Sequence, residues 1–297
     1  MSSMADTVLH TRFAIFAIDS ERDPKIFKGL TGDRYAPLEF SLAVIRAFVS
    51  PDSTIVDAGA HIGTFAVPLS KSVKRIVAFE PSPSTFAYLA KNVGLNRAAN
   101  IEIHNEGLAA ARGHASLEPI PDGLATSQTL DVNKGGTIRV VALDDEVQKA
   151  DFIKMDVEGM ELQALKGATQ LMRRSKPGIF FEVNTSALRQ QGTSASDLQR
   201  FFTEQGYALW YPFEYRGRLC AGRIWHILMS VVLISPSSVF CGRKAFNFDL
   251  LAMPKGRPLP ASIEAWSSVR MAFHLIALNI RDKAGRIRKR IPLCSKP

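Results

Sequence analysis

Short, continuous apolar runs alternate along this chain with longer segments in which apolar residues recur at helical spacing. The runs predict five strands, at residues 54–57, 75–79, 101–104, 151–155 and 178–183. Strands that are apolar on both faces are typical of a mainly parallel sheet with helices on each side. The pattern therefore predicts a doubly wound α/β fold.

The segments between the runs predict helices at residues 37–49, 160–173 and 194–205, and two more that end near residues 71 and 96. Two alternating runs within residues 115–142 predict an antiparallel excursion. Residues 207–211 and 246–253 complete a predicted sheet of seven strands. Residues 1–37 show weak patterns. We therefore divide the chain into a lead-in with one helix at 1–50, a main domain at 51–254 and a tail at 255–297.

The formal net charge of +9 is concentrated in the tail, where ten basic residues face two acidic ones. The main domain is close to neutral, which argues against nucleic acid as its partner. Residues 263–280 are rich in apolar side chains and lead into the basic run 286–290. Two interpretations of this tail stay open. It is either an amphipathic helix in peripheral contact with an anionic membrane, or a helix packed on the sheet with a basic end.

The cysteines and apolar stretches bear on the cellular compartment. Cys220, Cys241 and Cys294 are far apart and form no CxxC pair, which favours a reduced, cytoplasmic protein. The apolar run at 13–18 is too short for a secretory signal, and the longest apolar stretch, 224–234, falls short of the ~20 residues that span a bilayer. The sequence therefore predicts a soluble protein.

Glycines follow the first predicted strand, in the run Asp57-Ala58-Gly59-Ala60-His61-Ile62-Gly63. Glycine allows a sharp turn and a close approach of the backbone to a ligand, and the helix that follows favours a negatively charged group. Glu80 ends the second strand, 23 positions after Asp57. An acid about 20 residues beyond such a loop can accept hydrogen bonds from ribose hydroxyls. The two features together predict a cofactor that contains adenosine.

More polar side chains follow the fourth and fifth strands. Asp156 and Glu158 come directly after the fourth, and Glu182 and Asn184 end the fifth. Ligands of open α/β sheets bind beyond the carboxyl ends of the strands, so these groups are expected where a substrate would meet the cofactor. Each of them is also compatible with a solvated loop position.

The same segments resemble the FkbM family of methyltransferases. The resemblance rests on the glycine run above, on Val77-Ala78-Phe79-Glu80-Pro81, on Leu143-Asp144, on Lys154-Met155-Asp156-Val157-Glu158-Gly159 with Leu165-Lys166-Gly167, and on Phe181-Glu182-Val183. The resemblance covers roughly residues 52–185, and residues 246–254 show a weaker similarity to the last strand of the family. His61 departs from the pattern, because the family often has asparagine at this position.

The resemblance implies a Rossmann-like class I methyltransferase that uses S-adenosyl-L-methionine. It implies O-methylation of a hydroxyl on a sugar, glycolipid or related small molecule, with the methyltransferase domain at residues 51–254. Asp156 is the first candidate for a base or orienting group, and Glu158 is the second. The implied cofactor-binding residues are Asp57, Gly59, Ala60, His61, Gly63, Glu80, Pro81, Gly107 and Leu108.

Three alternatives remain open at this point. Asp156, Glu182 and Asn184 offer oxygen ligands of the kind that Mg²⁺ accepts, so a metal-dependent variant is one of them. An NAD-dependent oxidoreductase shares the glycine turn and the ribose acid, although it would normally show GxGxxG. A nucleic-acid-binding or modifying protein could use the basic tail.

Overall fold

The computed structural model describes residues 6–32, 36–120, 128–215, 217–224 and 247–266. The predicted tail helix beyond residue 266, the basic run 286–290, Phe246, Cys241, Cys294 and most of the apolar stretch 224–234 lie outside these ranges. The strands are β1 Asp6–His10, β2 Ile15–Asp19, β3 Thr54–Ala58, β4 Arg75–Phe79, β5 Ile101–His104, β6 Gly107–Leu108, β7 Gly113–Pro119, β8 Gln128–Asp131, β9 Ile138–Val141, β10 Phe152–Met155, β11 Gly178–Asn184, β12 Tyr207–Tyr215, β13 Arg218–Ile224, β14 Asn247–Pro254 and β15 Glu264–Trp266. The helices are α1 Pro24–Thr31, α2 Ala36–Phe48, α3 Ala66–Ser70, α4 Pro83–Leu95, α5 Leu143–Glu146, α6 Glu161–Lys166, α7 Thr169–Ser175, α8 Thr185–Gln190 and α9 Ala195–Glu204.

The main sheet has the order β15-β13-β12-β14-β11-β10-β3-β4-β5 within the described ranges. Its central strands β11, β10, β3, β4 and β5 are parallel, while β14 is antiparallel to both of its neighbours. The order reverses direction on either side of β3, which is the topology of a doubly wound sheet. The predicted Rossmann-like α/β fold is confirmed.

In the described part of the chain this sheet has nine strands, two more than the seven predicted, because two edge strands extend it. β12 runs to residue 215 and pairs antiparallel with β13, and β15 then pairs in parallel with β13. Polar residues such as Arg218 and Arg223 interrupt the apolar pattern of β13, so no strand is visible in the sequence. Cys220, Ala221 and Trp266 are nevertheless buried there.

Alternate residues along the buried strands face two separate cores, one on each side of the sheet. Val56 and Phe181 pack with Leu165, Leu198 and other apolar residues of the later helices. Their sequence neighbours Ile55 and Phe180 pack on the opposite face with residues of the N-terminal half, among them Leu42, Val67 and Leu89. This two-residue period buries both faces of the sheet and leaves the strand ends open for a site.

The helix predicted at residues 160–173 is two helices, α6 and α7, separated near Gly167. A Cβ atom at Gly167 would lie 2.1 Å from the carbonyl oxygen of Ala109. The chain must therefore approach the small sheet closely at this point, and the approach coincides with the break. The small sheet, β6-β9-β7-β8, includes the predicted antiparallel excursion as its pairs β7–β8 and β7–β9.

The N-terminal region is more ordered than its weak sequence patterns suggest. β1 and β2 form an antiparallel hairpin, and Phe16 and Ile18 of β2 are fully buried. The side chain of Asn92 on α4 bonds both the N–H and the carbonyl of Ala17, at 2.6 and 3.1 Å. This hairpin is fixed by contacts 75 residues apart, which a local pattern cannot reveal.

In the part of the chain that the structure covers, every helix is too short or too polar to cross a lipid bilayer.

Candidate functional site

A cavity of about 540 Å³ opens at the carboxyl ends of β3, β4, β10, β11 and at the start of β14. Residues from the N-terminal region, from the small sheet and from the main sheet line it. Predicted site residues on its wall are Gly59, His61, Glu80, Pro81, Gly107, Leu108, Asp156 and Glu158. A volume of this size suits a small organic ligand such as a nucleoside with its substituent.

The turn after β3 forms one wall of this cavity. Gly59, His61 and Gly63 all have positive φ angles, of 76°, 53° and 90°. A Cβ atom at Gly59 would lie 1.8 Å from the carbonyl oxygen of Asp156, so only glycine fits there. The N–H groups of Gly59 and Ala60 both donate to the carbonyl of Phe79, at 3.0 and 2.9 Å. These bonds tie the turn to the end of β4.

Glu80 lies between this turn and the helix α4. Its Oε2 accepts a hydrogen bond from the N–H of His61 at 2.9 Å, and its Oε1 accepts one from the N–H of Ser82 at 3.0 Å. Burial raises the pKa of Glu80, although His61 and the two backbone donors oppose the rise. The carboxylate is thus held in one orientation, and each oxygen keeps a lone pair for a further donor.

Lys154 is a buried cation beneath the turn. Its Nζ donates to the carbonyl of Gly59 at 2.7 Å and lies 3.3 Å from Asp57 Oδ1 and 3.9 Å from Asp156 Oδ2. Burial lowers the pKa of Lys154, but Asp57, Asp156 and Glu80 outweigh it and raise the pKa above its usual value. For Asp57 burial dominates and raises the pKa in spite of Lys154. Lys154 is therefore charged and neutralises part of the surrounding acidity.

Carboxylates line the part of the cavity beside β10, β11 and β14. Glu182 of β11 and Asp249 of β14 are register partners on adjacent strands, and both line the cavity with Asp156 and Glu158. Burial, followed by repulsion from Asp156, raises the pKa of Asp249 to about 7 and that of Glu182 well above its usual value. Glu161 lies behind them, and burial raises its pKa to about 8. Burial and mutual repulsion thus oppose full ionisation of this group of carboxylates.

The structure changes the set of metal-ligand candidates. Asn184 caps α8, because its Oδ1 accepts from the N–H groups of Ser186 and Ala187 at 3.2 and 3.1 Å. Both lone pairs of that oxygen are used in these bonds, which leaves none for a metal ion in the open alternative that included Asn184. One carboxylate oxygen from each of Asp156, Glu158 and Glu182 lies within 4.8 Å of the others. Within the described residues one other group, His104, Glu106 and Glu146, meets the same distance limit.

Three predicted cofactor residues lie behind the cavity wall. Asp57 and Ala60 are almost completely buried and are not among the lining residues. Gly63 faces Leu89 and Val67, each of which would lie 3.0 Å from an added Cβ. Asp57 supports the turn through its ion pair with Lys154. Gly63 supports it by packing closely against Leu89 of α4.

Sequence reasoning assigned no role to three residues that shape the site. Lys154 is a charged residue inside an otherwise apolar strand, and this pattern alone could have predicted a buried, paired lysine. Asp249 lies in a strand where it pairs with Glu182, a partner that emerges only from the register. Asp23 precedes α1, and its Oδ2 lies 2.9 Å from His61 Nε2. The sequence offers no indication of that long-range contact.

The sequence model of the methyltransferase FkbM domain matches residues 57–209, just over half of the 297 residues. The hexuronic acid methyltransferase AglP of Haloferax volcanii is 36% identical over 129 residues, which cover 41% of this chain and 52% of that protein. Methyltransferase sdnD of Sordaria araneosa is 27% identical over 202 residues, which cover 54% of this chain and 78% of that protein. The chain thus spans about half the length of the first of these relatives.

A solved structure is also similar. The methyltransferase FkbM of Methylobacillus flagellatus is 26% identical, with a TM-score of 0.37, and the match covers 53% of this chain and 37% of that one.

Proposed function

Because the chain belongs to the FkbM family of methyltransferases, we propose that it transfers a methyl group from S-adenosyl-L-methionine to a hydroxyl oxygen. The acceptor in this proposal is a sugar, glycolipid or related small molecule. The observation that carries the proposal is the position of Glu80, held by two backbone N–H groups on the wall of the cavity beside a glycine turn.

The cofactor would lie along the turn between β3 and α3. The free lone pairs of Glu80 suit the two ribose hydroxyls, and Gly107 and Leu108 would border the adenine. Gly59 brings the backbone close to the ligand, and the carboxylates nearby favour a sulfonium cation. When bound, the cofactor supplies an electrophilic methyl group.

Asp156 is proposed as the base or orienting group at the acceptor end, with Glu158 as the second candidate. Asp156 lies on the cavity wall, and its Oδ2 is 3.9 Å from Lys154 Nζ. In the proposed step Asp156 would accept the hydroxyl proton of the acceptor, whose oxygen would bond the methyl carbon that the cofactor supplies as the carbon–sulfur bond breaks. Alignment can supply ~7–11 kcal/mol, whereas a base adds roughly 10²–10⁴-fold. An Asp156→Asn variant is therefore expected to keep measurable activity.

A sugar acceptor is supported by one relative and by the chemistry of the site. The relative is named a hexuronic acid methyltransferase, although the match covers only 52% of it. The side chains of Asp156, Glu158, Glu182 and Asn247 line the acceptor end and can bond several hydroxyls at once. The apolar residues Leu117 and Leu130 of the small sheet line another part of the cavity.

A second hypothesis adds Mg²⁺ at the acceptor end. Asp156, Glu158 and Glu182 are hard oxygen donors at suitable mutual distances and would hold the ion, whose charge would polarise the acceptor hydroxyl. Methyl transfer that survives chelation would remove this hypothesis.

The proposal is tested by calorimetric titration of the purified chain with S-adenosylhomocysteine and, separately, with NAD. We expect binding of the first and none of the second. Radiolabelled methyl transfer to a panel of glycans, glycolipids and nucleic acids would then identify the acceptor class. Binding of NAD alone would overturn the proposal in favour of an oxidoreductase, and transfer to nucleic acid alone would overturn the acceptor.

A further inference from the structure

The N-terminal region forms part of the cavity although it lies outside the residues that match the family. The match begins at residue 57, whereas Asp23, Lys25, Ile26, Pro37 and Leu38 line the cavity. The hairpin that precedes α1 is anchored to α4 by Asn92 and Asn96. Asn92 also donates to the carbonyl of Ile62 at 2.8 Å, which links the hairpin to the glycine turn.

His61 links Asp23 of this region to Glu80, the candidate for ribose binding. The carboxylate of Asp23 is buried, and its Oδ2 lies 2.9 Å from His61 Nε2. The backbone N–H of His61 in turn donates to Glu80 Oε2 at 2.9 Å. One residue of the turn is thus fixed at both ends, by its side chain to Asp23 and by its backbone to Glu80.

His61 needs such fixing because its backbone is in the left-handed region, with φ of 53°. That conformation is unfavourable for a residue with a Cβ atom and persists only when its surroundings enforce it. In this conformation the N–H of His61 donates to Glu80 Oε2. Loss of the contact with Asp23 would let the turn relax and would leave Glu80 Oε2 without its donor.

We infer that Asp23 is a positioning residue of the cofactor pocket, which holds His61 so that the turn orients Glu80 toward the ribose. This inference rests on the proposed function, because it gives Asp23 a role in binding the same nucleoside. Asp23 acts through His61 and needs no contact with the cofactor.

The charges around His61 predict that this coupling depends on pH. Burial lowers the pKa of His61, but Asp23 and Glu80 together raise it above the usual 6.5 despite repulsion from Lys154. Lys25 and Glu106 line the same cavity from α1 and from the segment after β5. Since the folded-state pKa is raised, the charged pair is fully formed below pH 6.5 and is lost as pH rises through the folded-state pKa.

The test compares the wild type with Asp23→Asn, Asp23→Ala and the matched control Glu21→Gln. Glu21 is an exposed acid two positions away and does not line the cavity. A charge-assisted hydrogen bond is worth enough to change affinity by about tenfold, so we expect Asp23→Ala to weaken S-adenosylhomocysteine binding by about that factor. Glu21→Gln should bind like the wild type. Affinity of the wild type should fall as pH rises through the His61 pKa, and Asp23→Asn should flatten that profile.

NMR titration of His61 keeps the inference separable from the proposed function. The wild-type imidazole should titrate above 6.5, and Asp23→Asn should lower its pKa. If the folded wild type does not bind the nucleoside at all, the proposed function fails, whatever the titration shows. If the wild type binds and Asp23→Ala binds equally well, or if the pH profile is unchanged in Asp23→Asn, the inference about Asp23 is overturned.

Discussion

Replacing Lys154 with methionine tests how the turn is supported. Methionine has a similar length and no charge, so Lys154→Met removes the ion pair with Asp57 and the hydrogen bond to the Gly59 carbonyl. Asp57 is only 1% exposed, and its nearest cation in the described structure would be gone. The carboxyl group must then remain charged without a partner or take up a proton.

Both routes give a similar loss of stability. Removing one partner of a buried ion pair costs about 3–5 kcal/mol. Protonating a carboxyl group with an ordinary pKa of 3.8 at pH 7 costs about 4 kcal/mol, at about 1.4 kcal/mol per pH unit, and the wild type already bears part of this cost because burial raises the pKa of Asp57. We therefore expect Lys154→Met to lower the free energy of unfolding by about 3–4 kcal/mol at pH 7, and by less at pH 5, where protonation of Asp57 is easier.

Denaturant unfolding of the wild type, Lys154→Met, Asp57→Asn and the double variant would measure these values. The double variant should lose less than the sum of the single losses, because neither charge is then left alone. A Lys154→Met variant within 1 kcal/mol of the wild type at pH 7, or strictly additive single losses, would refute the reasoning that this pair is coupled.

Three further substitutions test other parts of the structure. Glu161→Gln should gain stability relative to the wild type as pH rises from about 4.5 to about 8. The folded wild type keeps Glu161 protonated over this range, because its folded-state pKa of about 8 lies above the ordinary 4.5, and the variant has no proton to hold. A difference in melting temperature that does not change with pH would contradict this. Gly59→Ala should abolish nucleoside binding in titration calorimetry, since its Cβ would lie 1.8 Å from the Asp156 carbonyl and its φ is 76°; wild-type affinity would show that the turn tolerates a side chain. Asn92→Ala should lower the free energy of unfolding by roughly 2–3 kcal/mol, because it removes the side chain that bonds the buried N–H and carbonyl of Ala17 and the carbonyl of Ile62. A loss below 0.5 kcal/mol in chemical denaturation would contradict it.

The sequence was informative wherever structure follows from a local pattern. Continuous apolar runs predicted the central strands, because a strand buried on both faces needs apolar residues at successive positions. The residues just after those strands include Gly59, Glu80 and Asp156, which the structure brings to one cavity. Their convergence was predictable since parallel strands share one carboxyl edge.

What the sequence missed depends on contacts between distant segments. The N-terminal hairpin is held by Asn92, and Asp23 meets His61 across 38 positions of sequence. β13 shows no clear apolar alternation, and the helix break near Gly167 coincides with a close approach to Ala109. One open alternative included Asn184 as a metal ligand, whereas local backbone N–H groups occupy its oxygen as a helix cap.

The proposed role of Glu80 is to hold the pentose of an adenosine-containing cofactor. It is tested most directly by measuring the affinities of the wild type and of Glu80→Ala for S-adenosylhomocysteine and for its 2′-deoxy analogue. We expect the wild type to bind the deoxy analogue about tenfold or more weakly than S-adenosylhomocysteine, whereas Glu80→Ala should bind both ligands weakly and equally. Equal discrimination between the two ligands by the wild type and by a folded Glu80→Ala variant would contradict it.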